Sequence, residues 1–206
     1  MTIEGKVIRM EKKGERQEAL AIPRIISGQA RGLKLDTLQG DITRPTADRV
    51  KESLFNIIAS RIPGCCFADV FAGSGSVGCE ALSRGAEQVA FIEEAPECAK
   101  IVLRNIQKVR LEQKAKLYRE SALQALPKLP KQDIIFMDPP YHKNLGILGL
   151  EIIAKYAILK NNGLVILEHD WDEEIPDRIA TLVRYDTRKY GRAMLSFFRE
   201  DKEQAE

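Results

Sequence analysis

The chain has 206 residues, 44% of them hydrophobic, which is enough to bury one core and favours a single domain with at most a small appendage. Lysine and arginine (32) almost balance aspartate and glutamate (30), so any surface for nucleic acid has to come from local segregation of charge and not from the net charge of +2. The four cysteines and two histidines lack the spacing of metal ligands, and no apolar run approaches the roughly 20 residues of a membrane span. We therefore predict a cytoplasmic protein without a bound metal and without a membrane partner.

The first predicted elements precede the core of the fold. Residues 1–22 mix glutamate with lysine and predict a loosely ordered N-terminal extension. Residues 23–45 contain RIISGQARGLKL, a pattern typical of a small β-ribbon. After it, TADRVKESLFNIIASRI predicts an amphipathic helix between Pro45 and Pro63. The apolar face of this helix consists of Val50, Leu54, Ile57 and Ile58.

From residue 46 to residue 200 the sequence alternates between two periodicities, and residues 201–206 form a polar tail. Apolar, β-rich runs at 67–72, 88–93, 115–118, 133–137 and 163–169 are separated by helical patterns at 76–84, 96–109, 121–126 and 146–157. Such alternation is typical of an α/β fold with a parallel sheet covered on both faces. The last runs, RIATLVRYDT and AMLSFFRE, are joined by RKYGR, which predicts a hairpin and an antiparallel last strand.

A glycine loop follows the first core strand in DVFAGSGSVGCEAL. Gly73, Gly75 and Gly78 match GxGxxG, and Glu93 follows about 20 residues later at the end of the next strand. This pattern alone permits a dinucleotide cofactor, or a tight turn without a ligand. Asp69, at the end of the first strand, suits a cationic amino group better than a pyrophosphate, because its carboxylate would lie beneath the loop. We therefore favour S-adenosylmethionine as the cofactor.

The fourth core strand ends in DPPY, residues Asp138, Pro139, Pro140 and Tyr141. The prolines stiffen the turn, so that the carboxylate and nearby carbonyls can accept hydrogen bonds from an exocyclic amino group while the tyrosine stacks on its base. The motif matches that of enzymes which methylate adenine N6, cytosine N4 or guanine N2. The motif therefore indicates that the nucleophile is an amino group, but it does not identify the base.

Five segments together resemble one family. In order along the chain they are RIISGQARGLKL, RPTADRVKESLFN, DVFAGSGSVGCEALSRGA, FIEEAPE and DIIFMDPPY, within roughly residues 24–200. They are similar to the bacterial 16S ribosomal RNA guanine-N2 methyltransferases of the RsmD type, and RPTADRVKESLFN is the most specific part. The resemblance implies a Rossmann-like class I methyltransferase with a mostly parallel seven-stranded sheet, an antiparallel last strand and a small RNA-contacting ribbon and helix at the N-terminus. It also implies methylation of one guanine in an assembled or assembling small subunit.

The resemblance assigns roles to individual residues. Catalysis is expected from Asp138, Pro139, Pro140 and Tyr141. The residues expected to bind the cofactor are Asp69, Phe71, Gly73, Gly75, Glu93, Glu94, Ser121, Ala122 and Asp138. Ser121 is a departure, since many methyltransferases have an acid there that accepts from the adenine amino group. Contacts with RNA are expected from Arg24, Arg31, Lys34, Arg44, Thr46, Arg49 and Lys143, with Lys51, Arg188, Lys189 and Arg192 as further basic candidates.

Other interpretations remain open at this point. A methyltransferase for adenine N6 or cytosine N4 in DNA or another RNA would also use DPPY. A dinucleotide-dependent oxidoreductase would use the glycine loop but leaves the two prolines unexplained, and a non-catalytic ribosome assembly factor would not need Asp69, Glu93 or DPPY. The acidic stretch EHDWDEEIPD is predicted to face away from phosphate, with Trp171 as a partly buried packing residue.

Overall fold

The computed structural model of the chain describes residues 23–38 and 45–201, with side chains in the second range from residue 49 onward. The strands in this part of the chain are β1 Cys66–Val70, β2 Gln88–Ile92, β3 Ala115–Tyr118, β4 Gln132–Met137, β5 Leu159–Asp170, β6 Arg178–Ile179, β7 Leu182–Tyr190 and β8 Ala193–Glu200. The α-helices are α1 Pro45–Ile57, α2 Ser76–Ser83, α3 Pro96–Val109, α4 Ala122–Ala125 and α5 Leu145–Lys155. Short 3₁₀ helices lie at Ala59–Arg61, Glu112–Lys114 and Leu126–Lys128. None of the described helices is long and apolar enough to cross a bilayer.

All the strands of the described residues join one sheet in the order β3-β2-β1-β4-β5-β8-β7-β6. Strands β1 to β5 are parallel, and β8 pairs antiparallel with β5 and with β7, which confirms the predicted α/β class. The sheet has eight strands and not seven, because RIATLVRYDT does not form one strand. It breaks at Ala180, whose φ is 50°, so that β6 becomes a separate two-residue edge strand.

Helices cover both faces of the sheet, which explains why the core strands are almost continuously apolar. One face buries Phe67, Phe91 and Phe136 beneath residues 23–38 and helices α1, α2 and α3. The opposite face buries Ile135 and Met137 beneath α4 and α5. The parallel strands end together on one edge, and there the order reverses between β1 and β4. This edge is the usual place for a ligand in an open α/β sheet.

Residues 23–38, here called the leader arm, pack against α2. Arg24 and Lys34 form an antiparallel bridge, so the predicted ribbon is reduced to its shortest form. The buried carboxylate of Glu80 accepts hydrogen bonds from the backbone N–H of Ile26 at 2.7 Å and of Ser27 at 3.0 Å. Because both bonds join the arm to a helix of the core, the arm is held beside the sheet edge that carries the glycine loop.

Helix α1 buries a slightly different face from the one predicted. Val50, Leu54 and Ile58 are buried as expected, but Ile57 is 42% exposed and Phe55 takes its place in the core. Ile57 is the last residue of the helix, and the helix turns its side chain outward while its neighbours pack on the sheet.

Candidate functional site

A cavity of about 570 Å³ opens at the C-terminal edge of β1, β2 and β4. Its wall brings together predicted residues from four separate segments of the sequence. They are Phe71, Glu93, Glu94, Ala122, Asp138, Pro139, Pro140 and Tyr141, joined by Ile92 and Ala95. Pockets for small ligands commonly have volumes of roughly 300 to 1,000 Å³, so the cavity is large enough for a nucleoside-sized cofactor.

The glycine loop turns tightly from β1 into α2. Phe71, Gly73 and Gly75 have φ values of 64°, 55° and 73°, a region in which a side chain is strained. A Cβ atom on Gly73 would meet no protein atom within 4 Å, so the loop presents open backbone there. By contrast, a Cβ on Gly78 would lie 2.2 Å from Cε1 of Phe91. Gly73 therefore leaves room for a ligand, whereas Gly78 lets α2 pack closely on β2.

Glu93 ties this loop to the end of β2. Its Oε2 accepts a hydrogen bond from the backbone N–H of Gly73 at 2.7 Å, and its Oε1 accepts one from Ala95 N–H at 2.8 Å. A carboxylate has about four acceptor positions, so two remain for ligand hydroxyl groups. Its place on the cavity wall fits its predicted role in binding the cofactor.

Asp69 lies beneath the glycine loop, as predicted, and does not line the cavity, so its contact with the cofactor stays a prediction. It is 2% exposed, and its Oδ2 accepts a hydrogen bond from Gly78 N–H at 2.8 Å. Burial raises its pKa to about 7, and repulsion from Asp138 and Glu93 acts in the same direction against the hydrogen bond from Gly78. Its position allows it to shape the loop that would hold the ligand.

The DPPY turn is anchored to β1. Asp138 N–H donates to the carbonyl of Val70 at 3.3 Å, so the end of β4 stays beside the start of the glycine loop. Pro139 is buried, while Asp138 is open to the cavity. Desolvation by the surrounding protein raises the pKa of Asp138 to about 7. Asp138 can therefore accept a proton near neutral pH.

Glu168, at the end of β5, is a candidate site residue that the sequence reasoning missed. Its Oε1 lies 3.5 Å from the hydroxyl of Tyr141. Burial and the neighbouring Asp138 raise its pKa to about 8, against the hydrogen bond from Tyr141. The signal was present in GLVILEHD, where an acid ends a buried strand, as Asp69 and Glu93 do. That pattern does not by itself identify Glu168, because only a sheet order that places β5 next to β4 brings Glu168 to the site.

Ser121 and Ala122 begin the segment that closes the far side of the cavity. Ala122 is buried and lines the wall, whereas the Oγ of Ser121 faces Oε1 of Gln124 at 3.2 Å. Glu94, beside Glu93, also lines the wall. The predicted contact of Ser121 with the cofactor thus stays a prediction, with the adjacent Ala122 supplying an apolar surface.

The predicted RNA contacts fall into two groups. Arg24, Arg31, Lys34, Arg49 and Lys143 are exposed, and in the described part of the chain none of them forms an ion pair. Lys51 was wrongly grouped with them. It is only 6% exposed, and its Nζ donates to the carbonyl of Arg24 at 3.0 Å and to Oγ of Ser76 at 2.8 Å, so it joins α1 to the arm and to α2. Arg44 and the side chain of Thr46 lie outside the described residues.

The basic residues of the β7–β8 hairpin already have partners. Arg188 pairs with Asp186 at 2.9 Å, and Arg192 pairs with Asp170 at 2.7 Å. The Nζ of Lys189 lies 5.2 Å from the ring centroid of Trp171. These cations are less available to phosphate than those of the leader arm.

The acidic stretch after β5 lies beside the DPPY turn. Oε1 of Glu173 accepts a hydrogen bond from His142 N–H at 2.7 Å. Trp171 is 54% exposed and not partly buried as expected, because β5 ends just before it and leaves it outside the sheet. His142, Asp170 and Asp172 bring ligand atoms within 4.8 Å of one another, but the guanidinium of Arg192 already neutralises Asp170.

Known proteins are similar to this chain over most of its length. A family model described as conserved hypothetical protein 95 matches residues 23–199. The Bacillus subtilis protein YlbH is 38% identical over 172 residues, which cover 82% of this chain and 94% of YlbH. "Ribosomal RNA small subunit methyltransferase D" of Haemophilus influenzae is 38% identical over 168 residues, covering 80% of this chain and 87% of that protein. The solved structure of Escherichia coli yhhF has a TM-score of 0.77 at 29% identity and covers 88% of this chain and 99% of its own.

Proposed function

Because the chain belongs to the family of conserved hypothetical protein 95, which is that of the RsmD-type methyltransferases, we propose that it transfers a methyl group from S-adenosylmethionine to the N2 of one guanine in small-subunit ribosomal RNA. The observation that carries this proposal is that the DPPY turn borders the same cavity as the residues that follow β1 and β2. Glu93 and Asp138 line one wall, and the backbone bond from Asp138 to Val70 keeps them together. A cofactor site and an amine-accepting carboxylate therefore adjoin each other.

The residues of the cavity fit S-adenosylmethionine. Glu93 has free acceptor positions for the ribose hydroxyls, Gly73 leaves open backbone, and Ile92 and Ala122 offer apolar contacts to an adenine ring. Above about pH 7, where Asp69 is ionised, it adds negative charge beneath the loop, which favours the cationic amino and sulfonium groups. A pyrophosphate would meet three carboxyl groups here, which disfavours a dinucleotide.

The chemistry assigned to the protein side chains is positioning and proton transfer. When bound, S-adenosylmethionine supplies a methyl group on a positively charged sulfur, which an amine nitrogen can attack. Asp138 accepts an N–H of the amino group and orients its lone pair, while Tyr141 supports the base. As the N2–methyl bond forms and the sulfur–methyl bond breaks, one N2 proton passes to Asp138 and from there to water. The raised pKa of Asp138, about 7, suits it to take that proton.

The choice of ribosomal RNA rests on the relatives and on the surface charge. The Haemophilus influenzae relative is named for the small-subunit RNA. In this chain the exposed arginines and lysines of the leader arm lie on the side of the sheet that carries α1 and α2, and they lack ion pairs within the described residues. Such cations are available to RNA phosphates, and an assembled or assembling particle would present those phosphates in a fixed arrangement.

Transfer of a labelled methyl group tests the proposal. Small subunits that lack the modification are incubated with the protein and labelled S-adenosylmethionine, and the RNA is then digested to nucleosides. We expect the label in N2-methylguanosine and none in DNA offered in its place. Label in N6-methyladenosine or N4-methylcytidine would keep the cofactor and refute the substrate, whereas binding of NADH and not of S-adenosylmethionine would refute both.

A further inference from the structure

Two carboxyl groups lie side by side at the ends of β4 and β5. Phe136 and Ile166 are paired in the sheet, and Asp138 and Glu168 each follow two residues later on the same face. Glu168 is half-buried, and the hydroxyl of Tyr141 lies 3.5 Å from its Oε1. The two carboxyls and the phenol therefore form one polar cluster.

The strand order places Glu168 on the side of Asp138 that faces away from the glycine loop. The strands run β2-β1-β4-β5, so the glycine loop and Glu93 are on the β1 and β2 side of Asp138. Glu168 is on the opposite side, outside the wall of the 570 Å³ cavity. A base whose amino group reaches Asp138 from the β5 side would thus turn the neighbouring edge of its ring toward Glu168.

The edge of guanine differs from those of the other amino-bearing bases. Guanine has two adjacent donors, the N2 amino group and N1–H, whereas adenine and cytosine have a ring nitrogen with a lone pair beside their amino group. A second carboxylate next to the amine-accepting one would accept N1–H of guanine. It would repel the lone pair of adenine N1 or cytosine N3.

We propose that Glu168 determines the base specificity: its carboxylate accepts N1–H of the target guanine while Asp138 accepts the N2 amino group. This inference rests on the proposed function and adds the residue that selects among amino-bearing bases. Tyr141 donates to Glu168 and keeps it beside Asp138. The DPPY turn is shared by enzymes that act on three bases, so the selecting group has to come from another element, and β5 supplies it.

The base 2,6-diaminopurine separates recognition of N1–H from recognition of the amino group. It carries the C2 amino group of guanine, but its N1 accepts a hydrogen bond and does not donate one. Once mapping of the wild-type product has located the methylated guanine, subunits are reconstituted with guanine or 2,6-diaminopurine at that position. The kcat/KM values of the wild type, of Glu168→Gln and of the control Glu151→Gln, an exposed acid on α5, are then compared.

At about pH 9, where Glu168 is ionised, we expect the wild type to prefer guanine by about 10- to 100-fold and Glu168→Gln to lose about the same factor on guanine. Its activity on 2,6-diaminopurine should rise above that of the wild type, because the glutamine amide can donate to N1, which the carboxylate repels. Glu151→Gln should match the wild type on both substrates. An equal loss on both substrates, or none on either, overturns the inference. Wild-type methylation of a base other than guanine refutes the proposed function and this inference with it.

A second measurement needs no variant. The groups that act on Glu168 are Asp138, which with burial raises its pKa to about 8, and Tyr141, whose hydrogen bond opposes the rise, while its β8 partner Leu195 is uncharged. As pH falls through this pKa, Glu168 gains a proton and can donate, which suits 2,6-diaminopurine and not guanine. The preference of the wild type for guanine over 2,6-diaminopurine should fall about tenfold from about pH 9 to about pH 6. The same ratio for Glu168→Gln should not change with pH. A constant wild-type preference would contradict the inference.

Discussion

At the scale of single residues, the carboxyl groups of the site occupy different positions, and each position suits a different role. Glu93 faces the cavity and has free acceptor positions, Asp69 is closed off beneath the loop, and Asp138 is open beside β1. We therefore expect carboxyl groups of the same chemistry to serve ligand binding, loop support and amine binding. Because each group acts on a different partner, substitutions should separate cofactor binding from methyl transfer.

Asp138→Ala and Glu93→Ala should have opposite signatures. Without Asp138 the amino group loses its acceptor, so kcat should fall by about 100- to 1,000-fold while the Kd for S-adenosylmethionine changes by less than about threefold. Without Glu93 both the ribose contact and the bond to Gly73 N–H are lost, so that Kd should rise by about tenfold or more. Calorimetry and single-turnover transfer measure the two effects. A large loss of cofactor affinity in Asp138→Ala would show that its carboxyl binds the cofactor and not the base.

Sequence reasoning located the residues of DPPY and the glycine loop because their chemistry is local to a short motif. Lys51 could not be placed in this way. Its neighbours, the carbonyl of Arg24 and the hydroxyl of Ser76, come from elements that are 27 and 25 residues away, and only their packing makes a lysine a buried connector. Glu168 was missed for the same reason, since its role depends on the adjacency of β4 and β5.

At the scale of elements, the close packing of α2 on β2 fixes the direction of the glycine loop. Gly78→Ala would place a Cβ 2.2 Å from Phe91, which has no room to move in the core, so unfolding free energy should fall by about 1 to 3 kcal/mol. Gly73→Ala meets no such clash but has a positive φ and projects into the ligand space, so it should mainly weaken cofactor binding. Urea denaturation and calorimetry compare the two variants. Equal destabilisation by both would rule out this division of roles.

The parallel strands were predicted within a few residues because buried strands read as apolar runs with clear turns between them. The other end of the sheet was harder to predict. β5 begins at Leu159 and not at residue 163, because Leu159 pairs with Gln132, although the polar residues Lys160, Asn161 and Asn162 follow it. β6 has two residues, too few for a periodic pattern, and its separation from β7 depends on the conformation of Ala180.

At the scale of the whole molecule, the carboxyl groups at the strand ends make the free energy of unfolding depend on pH. The pKa of Asp69 is raised to about 7, so the native state holds a proton that the unfolded state releases above about pH 4. The stabilisation of the native state by this proton is complete below about pH 4 and is lost as pH rises through about 7. Asp138 and Glu168 act in the same direction. Asp133 has the opposite effect on the pH dependence of stability. Hydrogen bonds from Lys160 and from Cys66 N–H outweigh its partial burial and lower its pKa.

Asp69→Asn tests this dependence. The amide oxygen can still accept from Gly78 N–H, but the side chain no longer titrates, so the loss of unfolding free energy between about pH 5 and about pH 8 should shrink by on the order of 2 kcal/mol. Urea denaturation at several pH values measures the difference. Asp133→Asn is the contrasting variant, because it should lower stability at neutral pH through the loss of its ion pair with Lys160. An unchanged pH profile in Asp69→Asn would mean that the buried carboxyl stays ionised.

The distribution of cations over the whole molecule predicts how it holds RNA. The net charge of +2 is too small for strong binding, so affinity should come from the unpaired basic residues of the leader arm. Arg31→Ala should weaken binding to small-subunit RNA and lower the slope of log affinity against log salt by about 1, since each neutralised phosphate releases about one counterion. Arg188→Ala is the matched control, because its guanidinium already pairs with Asp186 at 2.9 Å and its loss should leave the slope unchanged. Filter binding over a range of salt concentrations measures both slopes. If Arg188→Ala lowered the slope and Arg31→Ala did not, the RNA would lie along the β7–β8 hairpin and not along the leader arm.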